Sequence, residues 1–129
     1  MAAFQPIHLL LVMTGGGIGA GLRYLCGRWA LALFGPGYPW GTLSVNIAGS
    51  LAMGLLAGVL ARTGGSEQIR LFIGVGLLGG FTTFSAFSLE LYEMLLRGAL
   101  PTALAYATIS ITAGVAGLWI AIHLVRAAA

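Results

Sequence analysis

Polar residues fall in a few short clusters along this chain, and four apolar stretches run between them, over roughly residues 7–33, 41–61, 69–96 and 101–125. A bilayer core of ~30 Å needs about 20 apolar residues in helical form, so each stretch predicts a membrane-spanning helix. The connections are short. Gly35-Pro36-Gly37-Tyr38-Pro39-Trp40 is rich in turn residues and in aromatics suited to the membrane interface. Arg62-Thr63-Gly64-Gly65-Ser66-Glu67-Gln68 is polar, and Pro101 is placed to start the last helix.

Three of the four stretches read as ordinary membrane helices. The third does not. Gly79-Gly80-Phe81-Thr82-Thr83-Phe84-Ser85-Ala86-Phe87-Ser88 puts two glycines, four hydroxyls and three phenylalanines into its middle. Adjacent glycines loosen a helix, and Thr and Ser can bond the backbone groups that a break sets free. Irregular backbone at membrane depth persists only when buried in protein or lining a cavity. The stretch therefore predicts a third helix broken at its centre, at the functional heart of the chain. A second reading stands beside it: a close-packing glycine pair, hydroxyls bonded to their own helix, and core aromatics.

Composition agrees with the pattern. Of 129 residues, 59% are hydrophobic and 7% charged, against about 25% charged in a soluble domain. The mean hydropathy is +1.00. The chain is predicted to be an all-α membrane protein, one four-helix domain spanning residues 1–129. The net charge of +3 comes from six scattered arginines and no lysine, which speaks against nucleic acid as a partner. Cys26 is alone, so no disulfide can form within the chain. No nucleophile–base pair or metal-ligand cluster is visible, so an enzyme is not expected.

Four spans place both termini on one side. Arg62, Arg70 and Arg126 then lie at one face, and Arg28 and Arg97 at the other, with Arg23 near the end of the first span. This near balance gives the positive-inside rule little to act on. It predicts insertion in both orientations and an antiparallel pair with a two-fold axis in the membrane plane. The competing reading is that a small bias still sets one orientation. Four short helices also enclose little space, which favours an oligomer.

Polar side chains at membrane depth are the candidate chemistry. Thr42, Asn46 and Ser50 recur every four residues and share a helix face. An amide in hydrocarbon needs partners; Asn46 is either interhelical glue or a pathway donor. Tyr106, Ser110 and Gly114 form a second stripe, with Thr108 and Thr112 nearby. Arg23 either snorkels to the interface or supplies a vestibule charge. Glu93 is spaced to pair with Arg97 at i,i+4, and Glu90 is left open. No carboxylate lies at the centre of a span, where cation or proton transport usually requires one. Neutral donors at Asn46, Thr82, Thr83, Ser85, Tyr106, Ser110 and Thr112 suit a small anion. Phe81, Phe84 and Phe87 recur every three residues, so their rings could stack along one side and turn electropositive edges toward it.

These residues also resemble a known family. Gly79-Gly80-Phe81-Thr82-Thr83-Phe84-Ser85-Ala86-Phe87-Ser88-x-Glu90, with Gly41-Thr42-Leu43-x-x-Asn46-x-x-Gly49 and Gly19-x-x-x-Arg23, is similar to the Fluc (CrcB) family of fluoride channels over essentially the whole chain. The resemblance implies a dual-topology antiparallel homodimer in the bacterial inner membrane, with two pores giving passive, selective fluoride export. It implies that Phe81, Phe84 and Asn46 line the pore, that Tyr106 and Ser110 lie on a polar track, and that a sodium ion sits at the dimer interface on the main-chain carbonyls of Gly79 and Thr82. Two other classes compete. A small dual-topology multidrug exporter would need a carboxylate in the first span, which has none. A structural or assembly subunit would need neither polar stripes nor a broken helix.

Overall fold

A computed structural model describes residues 3–129 of the chain. Helix α1 (Pro6–Phe34) begins with proline in its first turn, where a missing N–H costs nothing, and ends where Gly35 turns out of it. Helix α2 (Trp40–Thr63) ends at Gly64 in the left-handed conformation, which a side chain would strain. The third span is composite. A short turn, α3 (Glu67–Ile69), is capped by the Ser66 hydroxyl, which accepts from Ile69 N–H. It widens into a π-helical segment (Arg70–Leu78) and narrows again into α4 (Gly79–Phe81). After two extended residues, α5 (Phe84–Leu96) completes the crossing. Helix α6 (Leu100–Ala127) again carries proline in its first turn. All four spans are long and apolar enough to cross a membrane. The chain is a multi-pass, all-helical membrane protein.

The third helix is broken near its centre, as the residues predict, but not at the glycines. Gly79 has helical backbone angles, φ −62° and ψ −38°. The break lies at Thr82 (φ −85°, ψ 158°) and Thr83 (φ −150°, ψ 117°). The glycines do something else. A side chain on Gly80 would run into the backbone of Gly16, and one on Gly19 into the Leu77 carbonyl and Phe81 N–H. Gly15 and Gly76 face backbone in the same way. So α1 and the first half of the third span touch main chain to main chain, the contact that small residues permit in membranes.

A second seam joins α2 to α6, which run in the same direction. Gly54 backs onto the Leu118 carbonyl and Ala121, and Gly58 onto Val125. The halves of the third span serve different seams: the π segment and α4 pack on α1, while α5 packs on α6 and α2. The break is where the chain passes from one pair to the other. Where α5 meets them lies the small core of Leu43, Phe87, Met94, Ala103 and Tyr106, flanked by Tyr38 of the first loop.

Candidate functional site

Breaking a helix inside a membrane strands backbone groups that water cannot reach. Here most are met by side chains from three helices. Thr82 donates both its N–H and its hydroxyl to the Leu78 carbonyl, each at 3.0 Å. The Thr83 hydroxyl caps α5, accepting from Ala86 N–H at 3.2 Å. Asn46, on α2, takes the Thr83 peptide groups as a pair: its Oδ1 accepts from Thr83 N–H at 2.8 Å, and its Nδ2 donates to the Thr83 carbonyl at 3.0 Å. Arg23, on α1, donates from Nε to the Gly80 carbonyl at 3.0 Å. Among the described residues, no hydrogen bond reaches the carbonyls of Gly79 or Thr82.

Asn46 is therefore not simply a free donor. Its oxygen is committed to a backbone N–H, which fixes the orientation of the amide. One Nδ2 hydrogen is spent on Thr83, and the other makes no hydrogen bond among the described residues. Ser50, the next member of the stripe, bonds back to the Asn46 carbonyl at 2.8 Å.

Thr42 leads to Glu90, the residue that sequence reasoning left open. The Thr42 hydroxyl donates to Glu90 Oε1 and the Tyr106 hydroxyl to Oε2, both at 2.6 Å. Tyr106 is completely buried, its ring edge-on to Tyr38 at 5.6 Å and tilted against Phe87 at 5.1 Å. Thus α2, α5 and α6 meet on one carboxylate. Only the shared helix face of Thr42 and Asn46 hinted at this in the sequence. Tyr106 lies level with Thr42, and Gly114 lies level with Ser50. Ser110 lies one turn from each, and its Oγ is buried with no hydrogen-bond partner among the described residues.

The aromatic expectation needs correction. Phe81, Phe84 and Phe87 do not stack along one side, because the break falls between the first two. Phe84 and Phe87 rings sit 5.7 Å apart, but Phe87 turns into the core while Phe84 is 79% exposed. The Glu93–Arg97 ion pair is also absent among the described residues, where only Glu67 and Arg70 pair. Arg97 keeps helical register, its N–H donating to the Glu93 carbonyl at 3.1 Å, but both side chains line the cavity under the first loop without meeting each other.

Two cavities flank the site. One, of ≈ 300 Å³, is lined by Arg23, Arg28, Tyr24, Thr42 and Thr83. The other, of ≈ 360 Å³, lies under the first loop and is lined by Tyr38, Thr42, Glu90, Glu93 and Arg97. They share Thr42. Arg23 thus braces the break and also lines a cavity beside it; the bracing is a role that neither sequence reading gave it. Ser85 stays near the break, its hydroxyl 3.4 Å from that of Thr83.

A four-span helical protein with a braced discontinuity in its third helix, and two cavities that share Thr42 beside it, defines a membrane protein built around an interrupted span. Residues 10–122 match the family model described as CrcB-like protein, Camphor Resistance (CrcB). The chain belongs to that family. It is 52% identical over 119 residues to a protein of Mesorhizobium japonicum named fluoride-specific ion channel FluC, covering 92% of this chain and 96% of the other. A protein of the same name from Novosphingobium aromaticivorans is 54% identical over 120 residues, covering 92% and 95%. One from Sphingopyxis alaskensis is 65% identical over 91 residues, covering 70% and 72%.

Proposed function

We propose that this chain forms a passive, fluoride-selective channel of the bacterial inner membrane, as an antiparallel homodimer with two pores. The observation that carries the reading is the identity above one half, over nine-tenths of both chains, to relatives named fluoride-specific ion channels. The site's chemistry supports it. A small, strongly hydrated anion needs many weak partners to replace its water, and none strong enough to hold it. Asn46 has a spare N–H, Thr83 and Ser85 carry hydroxyls at the break, Ser110 has an unmet hydroxyl, and Arg23 and Arg28 give the adjoining cavity positive charge.

Phe84 leaves its ring exposed beside the break, where a second copy across a two-fold axis would cover it. In that arrangement Phe81 and Phe84 line the path with ring edges, and Tyr106 acts from behind, through Glu90. Replacing either Phe81 or Phe84 with Ile keeps the apolar bulk and removes the edge. Fluoride efflux from liposomes, normalised to folded dimer, should fall at least tenfold in each variant, with unchanged elution on size exclusion. Unchanged flux in both would remove them from the path, and no fluoride efflux from the unaltered protein would end the proposal itself.

The antiparallel arrangement rests on the balance of arginines. Two or three lysines added at one end should lock a single orientation and abolish flux. Co-expression with an oppositely biased version should restore it. Normal conduction by one locked version alone would refute the arrangement. The Gly79 and Thr82 carbonyls, without hydrogen-bond donors among the described residues, are hard oxygen ligands that fit a structural sodium shared between two copies. Isomorphous replacement showing no cation on the dimer axis would dispose of it.

A further inference from the structure

Away from the break, the first half of the third span and α2 enclose an apolar groove of ≈ 390 Å³, lined by Met53, Leu56, Ala57, Leu60 and Gly74, with Arg70 at its mouth. A side chain on Gly74 would meet the tip of Leu56, another lining residue. The lining from Leu60 to Met53 follows two helical turns, about 10 Å into the membrane. At the mouth Arg70 donates from Nε and Nη2 to both oxygens of Glu67, at 3.0 and 2.6 Å. The pair is half exposed, with side-chain exposures of 51% and 54%.

We propose that this groove holds one acyl chain of a phospholipid whose headgroup carries both a phosphate and a primary ammonium, phosphatidylethanolamine. An acyl chain gains little from apolar protein that other lipid does not already offer. Selection therefore falls on the headgroup. Arg70 keeps Nη1 free for a phosphate oxygen, and each Glu67 oxygen keeps a lone pair for an ammonium N–H. The ion pair is a zwitterion, and the complementary headgroup is a zwitterion with N–H donors. Choline has the charge without the donors, and glycerol has no positive charge. A helix from a second copy would have to bury the ion pair, which is costly for two charges already balanced in water.

The protein reconstituted in vesicles of equal phosphatidylethanolamine, phosphatidylcholine and phosphatidylglycerol, then extracted in mild detergent, should retain the first in roughly threefold excess by native mass spectrometry, the size exposed ionic contacts support. Glu67→Gln should shift retention to phosphatidylglycerol, because Arg70 is then uncompensated. Arg70→Gln should lose headgroup preference. Ala57→Leu fills the groove and should shed the lipid with unchanged elution. Equal retention of all three lipids by the unaltered protein would overturn the assignment. So would dissociation of the dimer by Ala57→Leu, which would show that a second copy covers the groove.

Discussion

Asn46→Asp is expected to reduce fluoride flux per folded protein at least a hundredfold. Two effects act together. The Asp carboxylate can still accept from Thr83 N–H, but it cannot donate to the Thr83 carbonyl, the bond that Nδ2 makes at 3.0 Å. An orphaned carbonyl costs ~1–3 kcal/mol. The larger effect is charge. A fixed negative charge about 4 Å from a passing anion raises its energy by ~4 kcal/mol at an effective dielectric constant of 20, where each 1.4 kcal/mol is a factor of ten. Asn46→Leu separates the two effects. It loses both Thr83 bonds but places no charge in the site, so its surviving folded fraction should conduct better than that of Asn46→Asp. Liposome flux beside thermal melting in detergent reads both. Equal flux in Asn46→Asp and the unaltered protein would place Asn46 off the anion path and leave it a brace of the break alone.

The second large effect concerns folding. Gly19→Val should strip the folded protein from the membrane, because its new side chain meets the Leu77 carbonyl and the Phe81 N–H, main-chain atoms that cannot rotate away. Overpacking commonly costs ~1–3 kcal/mol when side chains can move aside. Here whole helices must separate, and the cost becomes a large part of a total stability of about 5–15 kcal/mol. Gly17→Val, two positions away, points into open space within the chain and should leave folded yield near normal. The measurement is the monodisperse yield of each variant under one expression and extraction protocol. Similar yields from both would show that the α1 seam does not hold the third span in place.

These two positions show what could be read from residues alone. The spans were legible to within about two residues of their ends, because a run of apolar residues of membrane length has few other uses. The break was legible from the density of Gly, Thr and Ser, but its position was not. A glycine pair serves equally to break a helix or to bring backbones together, and only the presence of Gly16 opposite Gly80 decides. Asn46 announced a need for partners, yet nothing along the chain says that the partner is a backbone 37 residues away. The even spacing of the three phenylalanines misled, because it assumes one continuous helix. The π segment left no mark, since Arg70–Leu78 is apolar nearly all round and offers no face whose period could shift. Glu90 was open for the same reason as Asn46: its two donors come from other helices.

The passage of the third span from one seam to the other bears on how the chain is made. Synthesis delivers the spans in order, so α1 enters the membrane before its partner exists and must wait while α2 is made. The first seam closes only when residues 72–81 arrive, and the second only when α6 follows. Until then Glu90 lacks its Tyr106 donor, and α5 lacks the helix it packs on most. The last of the four spans therefore completes the core. A nascent chain stalled before residue 100 would hold the first seam, with α5 resting on α2 alone.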